Sequence, residues 1–137
     1  MNYWLLKSEP EVYGWAQLIK DKHTNWSGVR NNAAALNLKA MKVGDRAFFY
    51  HSGDERQVVG ICEIVKEAYP DPSDAAGRFV QVDVTAVAPV PTPVTLAVIK
   101  AEPRLSEMRL VRESRLSVSP VAADAWRLIC KMGDVAA

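Results

Sequence analysis

The chain holds only two cysteines, Cys62 and Cys130, far apart in its 137 residues and outside any Cys-x-x-Cys or Cys/His cluster. Nothing in that pattern builds a zinc site, and it points to reduced thiols in a cytosolic, cytoplasmic protein that needs no metal. Histidine is as scarce. With His23 and His51 alone, a histidine triad or metal site lacks its ordinary materials. None of the seven glycines falls in G-x-G-x-x-G, in a Walker loop or in G-x-S-x-G, so no nucleotide cofactor of the common kinds is expected. Apolar runs all stop short of the roughly 18 residues of a membrane span. The opening MNYWLLKSEP has no basic stretch, and its apolar run ends at Lys7, unlike a secretory signal. Charge of one sign is missing too: the net is +1, so a nucleic-acid partner would have to be gripped locally rather than by blanket phosphate neutralisation.

What the chain does have is a globular composition, 49% hydrophobic and 24% charged, at a length that makes residues 1–137 a single domain with a core independent of disulfides. Tyr3 to Lys7 reads as a buried strand stopped by Ser8-Glu9-Pro10. Trp15, Leu18 and Ile19 carry helical spacing, Asp21 to Gly28 reads as a polar loop holding Trp26, and Asn31 to Met41 as a second helix. Strands are expected at Arg46 to His51, at Gln57 to Ala68 and at Phe79 to Ala88. Gly60 within the second marks a bulge or a close backbone approach, and Tyr69-Pro70-Asp71-Pro72 a break. Pro89, Pro91 and Pro93 argue against further regular pairing, and Thr95 caps a helix that Pro103 ends. An extended piece at Arg115 to Pro120 precedes a last helix bearing Trp126, Ile129 and Cys130. The fold class is α+β, a small, mostly antiparallel β-barrel with helices inserted between strands.

Polar and aromatic residues gather at the strand ends, in Lys7-Ser8-Glu9-Pro10, Trp26-Ser27-Gly28-Val29-Arg30-Asn31, Tyr50-His51-Ser52, Tyr69-Pro70-Asp71-Pro72 and Arg115-Leu116-Ser117. Flat rings beside hydrogen-bonding groups suit a planar heterocycle, which needs a stacking surface and edge contacts. Charge is also divided. Between Lys20 and Arg46 six basic residues face two acids, whereas seven acids between Asp54 and Asp83 outweigh three basic residues, so one side can meet phosphates.

YWLLKSEP, WSGVRN, AMKVGD, FFYHS, AYPDP, VTLAVIK and SRLSVSPV follow one another along almost the whole chain. In these runs the sequence resembles the EVE domains, a PUA-like family related to the YTH readers of methylated adenine. The resemblance implies a non-catalytic module that binds a modified base of DNA or RNA in a pocket at the barrel mouth. By the same resemblance Trp26 is the stacking wall, Ser8, Pro10, Asn31, Tyr50, Ser52, Leu116 and Ser117 are the remaining lining, and Lys7, Arg30 and Arg115 are cations for the rim or for phosphates. Asn32 to Leu36 departs from the family pattern, in which a Tyr and an Arg usually follow Arg30-Asn31.

Other readings stand beside these. Ser8 can cap the turn that follows it, Arg30 and Arg115 can pair with Glu9 or Asp71, Asp71 reads as a turn former and His51 as a structural histidine. A small amidohydrolase would draw on Lys7, on Glu9 or Glu63, and on Ser8 or Ser52; a protein-interaction adaptor is a third class. The identity of the base, the choice of DNA or RNA and the oligomeric state are not legible.

Overall fold

Successive residues of a strand point to opposite faces, and in this chain both faces are apolar. The computed structural model describes residues 1–135. Its elements are β1 (Tyr3–Ser8), α1 (Pro10–Tyr13), α2 (Trp15–Asp21), β2 (His23–Trp26), α3 (Asn32–Ala40), β3 (Arg46–His51), β4 (Gln57–Pro70), β5 (Val80–Thr95), α4 (Leu96–Ala101), α5 (Arg109–Arg112), β6 (Val118–Val121) and α6 (Ala123–Met132). The strands form one six-stranded sheet in the order β2-β5-β4-β3-β1-β6. Five strand pairs make the sheet, and only β1 with β3 is parallel.

Leu6, Ala47, Phe49, Cys62 and Val84 project to one face, where they pack with Leu18, Leu38 and Met41 of the α2 and α3 side. Leu5, Phe48, Tyr50, Val58 and Ile61 project to the other, against Ile99, Leu110, Trp126 and Ile129. Trp126 there lies between core rings, stacked with Phe48 at 3.9 Å and with Tyr3 at 4.5 Å. Two cores therefore sandwich the sheet, an arrangement that explains why β1 and β3 read as continuous apolar runs.

Three expectations change. The mixed α+β class holds, but the sheet is open: β2 and β6 are its edges and, among the described residues, no ladder joins them. Asp21 to Gly28 is not all loop, since His23–Trp26 pairs antiparallel with β5, Trp26 opposite Val82. Finally, β4 runs on through Tyr69 and Pro70, and β5 runs through its prolines to Thr95, with Gly60 opposite Pro89 and Val58 opposite Val94. Pro91 and Pro93 fall in the register shift between the Gly60–Pro89 and Val58–Val94 pairs, an irregular stretch of the ladder where a missing proline N–H is tolerated.

Gly60 sits at a register shift of β4 and lies under the indole of Trp15, which would overlap any side chain at that position. Trp15 in turn meets Phe49 edge-on at 5.6 Å. The glycine thus lets α2 close onto the sheet beside the cleft described next.

Candidate functional site

A cleft of about 540 Å³ opens where β1 and β2 end. β1 delivers Lys7 and Ser8, the α1 turn adds Val12 and Tyr13, β2 brings Thr24, Asn25 and Trp26, the loop into α3 contributes Ser27 to Asn31, and Ser117 closes the ring. No carboxylate is among these lining residues.

Trp26 is 8% exposed and meets the edge of Phe49 at 5.5 Å with the rings at 90°. It serves the core and the cleft wall together, because the strand end that exposes part of it also seats the rest on the sheet. The Ser8 hydroxyl donates to the carbonyl of Tyr13 at 2.5 Å, which ties α1 to the cleft. Asn31 accepts from the Ala34 N–H at 2.9 Å and caps α3. Its side-chain oxygen is thereby committed, and its amide N–H groups are what remain for other partners. Lys7 is half-buried, so desolvation lowers its pKa, and its ammonium donates to the carbonyl of Ser114 at 2.8 Å.

The loop from Trp26 to Asn31 is shaped from a distance by Asp71, which is 2% exposed. This carboxylate accepts from the N–H of Gly28 at 2.8 Å, from the N–H and hydroxyl of Ser73 at 2.8 and 2.6 Å, and from the guanidinium of Arg30 at 3.2 Å. Burial pushes the carboxyl up, but the Ser73 side chain, the Gly28 and Ser73 amides and Arg30 outweigh it and hold the pKa at about 2. Arg30 donates further to Ser73 Oγ at 2.9 Å and lies 5.5 Å from the centre of the Phe79 ring. Gly28 holds φ +80°, a conformation that side chains disfavour. Of the two readings open for Arg30, the ion pair with Asp71 is the one present.

The structure therefore brings Lys7, Ser8, Trp26, Arg30, Asn31 and Ser117 around one cleft. It does not bring Pro10, Tyr50, Ser52, Leu116 or Arg115 into that lining. Pro10 opens α1 at its first position. Tyr50 is 2% exposed on the opposite face of the sheet, because it follows Phe49 and alternation turns it away. Ser52 uses its N–H on the carbonyl of Ser8 at 2.9 Å. Leu116 is buried in the core, and with Arg115 it borders a second, smaller cleft of about 370 Å³ that shares Asn31 with the first. His51 is a structural hub: Nε2 accepts from the Trp15 N–H at 3.0 Å, which leaves the proton on Nδ1 to donate to Glu55 at 2.8 Å.

Asn25 has no role in the sequence reading, and Asp71 has only those of turn former and partner for Arg30. Asn25, whose side-chain amide donates to Gln81 at 3.0 Å, sits in a stretch read as loop, so its partner strand was invisible. Asp71 carries a local signal, Asp-Pro-Ser, that announces a turn; its reach to Gly28 does not show in sequence.

Residues 2–132 match the EVE domain family model. The chain belongs to the EVE domain family. Thymocyte nuclear protein 1 of Rattus norvegicus is 48% identical over 82 residues, which cover 51% of this EVE domain chain and 36% of the rat protein. The chain thus spans well under two thirds of that relative's length. A Rhodopseudomonas palustris protein solved by NMR is 54% identical, with a TM-score of 0.94 over 100% of this chain and 96% of that one. The human THYN1 protein, solved in complex with DNA containing 5-methylcytosine, is 32% identical with a TM-score of 0.89, over 98% and 99%. The YTH domain of Zygosaccharomyces rouxii MRB1 shares the fold, with a TM-score of 0.61 at 15% identity over 96% of this chain and 86% of that one.

Proposed function

We propose that this EVE domain is a non-catalytic reader of a modified base in nucleic acid, with the base entering the cleft beside Trp26. One observation carries the reading: an aromatic wall at the end of β2 is faced by hydrogen-bonding groups on a loop held in shape by a buried carboxylate. Stacking on such a wall is worth about 1 to 3 kcal/mol per base. Ser8, Asn25, Asn31 and Ser117 then supply contacts to the base edge or the sugar. Family membership supports the reading, as does the human relative's complex with 5-methylcytosine DNA.

The enzymatic alternative needs a lysine, an acid and a hydroxyl in one place. Lys7 and Ser8 border the cleft, but Glu63 lies 3.5 Å from Arg46 and neither it nor Glu9 is in the cleft lining. That absence of an acid favours binding over hydrolysis. The test is fluorescence anisotropy with short oligonucleotides that differ only in the modification of one base, 5-methylcytosine against cytosine first. Preference for a modified base without product release supports the reader. Equal affinity for every base, or liberation of product, overturns it.

A further inference from the structure

We infer that a separate cavity, on the opposite face of the sheet from the base cleft, binds a small organic anion with an apolar body. This goes beyond the reader function and does not depend on it. The cavity holds about 530 Å³ between α6 and the strand ends where β1 and β3 begin, within the roughly 300 to 1,000 Å³ usual for small-molecule sites. Tyr3 and Arg46, the first residues of those two strands, are partners in the parallel ladder. Lys7 and Ser8 stand at the far end of β1, so the two sites are separated along the strand as well as across the sheet. Tyr3, Ile61, Trp126 and Cys130 give the cavity an apolar lining, all from the core opposite to that of Trp26. The stack of Tyr3 on Trp126 and of Trp126 on Phe48 holds that lining in place.

Charge gives the ligand its sign. Arg46, Arg127 and Lys131 also line the cavity, and no carboxylate among the described residues does. Arg127 and Lys131 are exposed one helical turn apart, in the stripe beside Trp126 and Cys130. Neither pairs with a carboxylate among the described residues. The acids nearest to them in sequence are engaged elsewhere: Asp124 accepts from the Ala125 N–H at 2.8 Å and Asp134 from the Thr92 hydroxyl at 2.7 Å. Glu63, 3.5 Å from Arg46, offsets one of the three cations. Even so, Arg46 Nε is buried without a hydrogen bond, a state that few buried donors occupy. An anionic oxygen in the cavity supplies an acceptor there, while the apolar lining takes the hydrocarbon. A bare inorganic anion or a polyphosphate backbone would leave that lining unused. Carboxylate and phosphate monoester head groups share the chemistry the cations recognise.

The experiment titrates the full chain with naphthylacetate, naphthyl phosphate, neutral naphthylmethanol and inorganic phosphate, followed by proton–nitrogen correlation NMR. The expected result is a saturable shift of the Arg46 amide and of the amides from Arg127 to Lys131 with a naphthyl anion, and weaker binding of naphthylmethanol and of inorganic phosphate. Whichever naphthyl anion binds more tightly identifies the head group. Arg127→Ala combined with Lys131→Ala should weaken that anion about fivefold, the scale of two exposed charge pairs, and leave naphthylmethanol unchanged. Cys130→Phe should weaken every naphthyl ligand by filling the cavity; if circular dichroism shows that it does not fold, the charge variant decides alone. Shifts centred on Trp26 and Asn31, naphthylmethanol or inorganic phosphate binding as tightly as the naphthyl anions, an unchanged affinity in the charge variant, or no saturable binding would each overturn the inference. None of these outcomes touches the reader function, which oligonucleotide binding tests separately.

Discussion

The carboxylate of Asp71 receives the backbone N–H of Gly28 at 2.8 Å, so one buried anion fixes the loop on which the cleft depends. Replacing it with alanine removes an acceptor that serves Gly28, Ser73 and Arg30 together. Arg30 is itself exposed, so the cost is that of leaving the Gly28 and Ser73 donors without their buried acceptor, about 1 to 3 kcal/mol. Asp71→Ala should therefore lower stability by that order in urea denaturation. Asp71→Asn should do less harm, yet still speed hydrogen exchange at the Gly28 amide. Unchanged Gly28 exchange in the asparagine variant would remove Asp71 from its role in shaping the loop.

Acid should act through the same residue. The folded carboxyl titrates near 2 against an ordinary 3.8, a depressed value, so the stabilisation is complete above about pH 4 and is lost as pH falls toward 2. Its size is about 2 kcal/mol. Asp45, which is buried, adds in the same direction: burial raises its pKa, but the Trp4 indole and the Asn2 and Lys42 amides outweigh that and lower it. Denaturation followed from pH 5 to pH 2 should show a shallower loss of stability for Asp71→Asn than for the wild type.

Trp26 and Trp126 invite a direct comparison. Trp126 is stacked between Phe48 and Tyr3, and Trp126→Ala should cost about 3 to 5 kcal/mol. Because Trp26 is itself 8% exposed and packed on Phe49, Trp26→Ala should destabilise as well as weaken base binding. Trp26→Phe keeps an aromatic in the core and reduces only the stacking area. A folded Trp26→Phe chain with weaker affinity for the modified base, measured by anisotropy, is the expected outcome; full affinity would move the base elsewhere in the cleft.

Gly60→Ala tests how α2 is seated. A methyl group there runs into the Trp15 indole, and overpacking of this kind costs about 1 to 3 kcal/mol. Thermal melts should show that loss, and Gly60→Ala with Trp15→Leu should recover part of it. Purely additive effects in the double variant would show that the two positions do not touch.

Much of this domain was legible locally. The runs at Tyr3–Lys7 and Arg46–His51, the Thr95 cap and the face shared by Trp126 and Ile129 are nearest-neighbour patterns, and they appear within a residue of where expected. Gly60 reads as a bulge or a close approach, and it is both, at a register shift and under the Trp15 indole. The motif runs identified the family, which composition and charge could not have done.

Pairing was a different matter. His23–Trp26 is a short polar strand whose partner lies on β5, and nothing within four residues announces a neighbour so distant in sequence. Whether Tyr50 faced the cleft depended on which side of the sheet the cleft occupied, and alternation alone places Phe49 and Tyr50 on opposite faces without naming the face. The sequence by itself determined most of the elements, the family and six residues of the cleft wall, Lys7, Ser8, Trp26, Arg30, Asn31 and Ser117. Only the tertiary structure decided that the sheet stays open, that Trp26 is core as well as wall, and that Asp71 shapes the loop of Gly28. These outcomes rest on contacts between segments far apart in the chain, and such contacts leave no periodic trace in either segment.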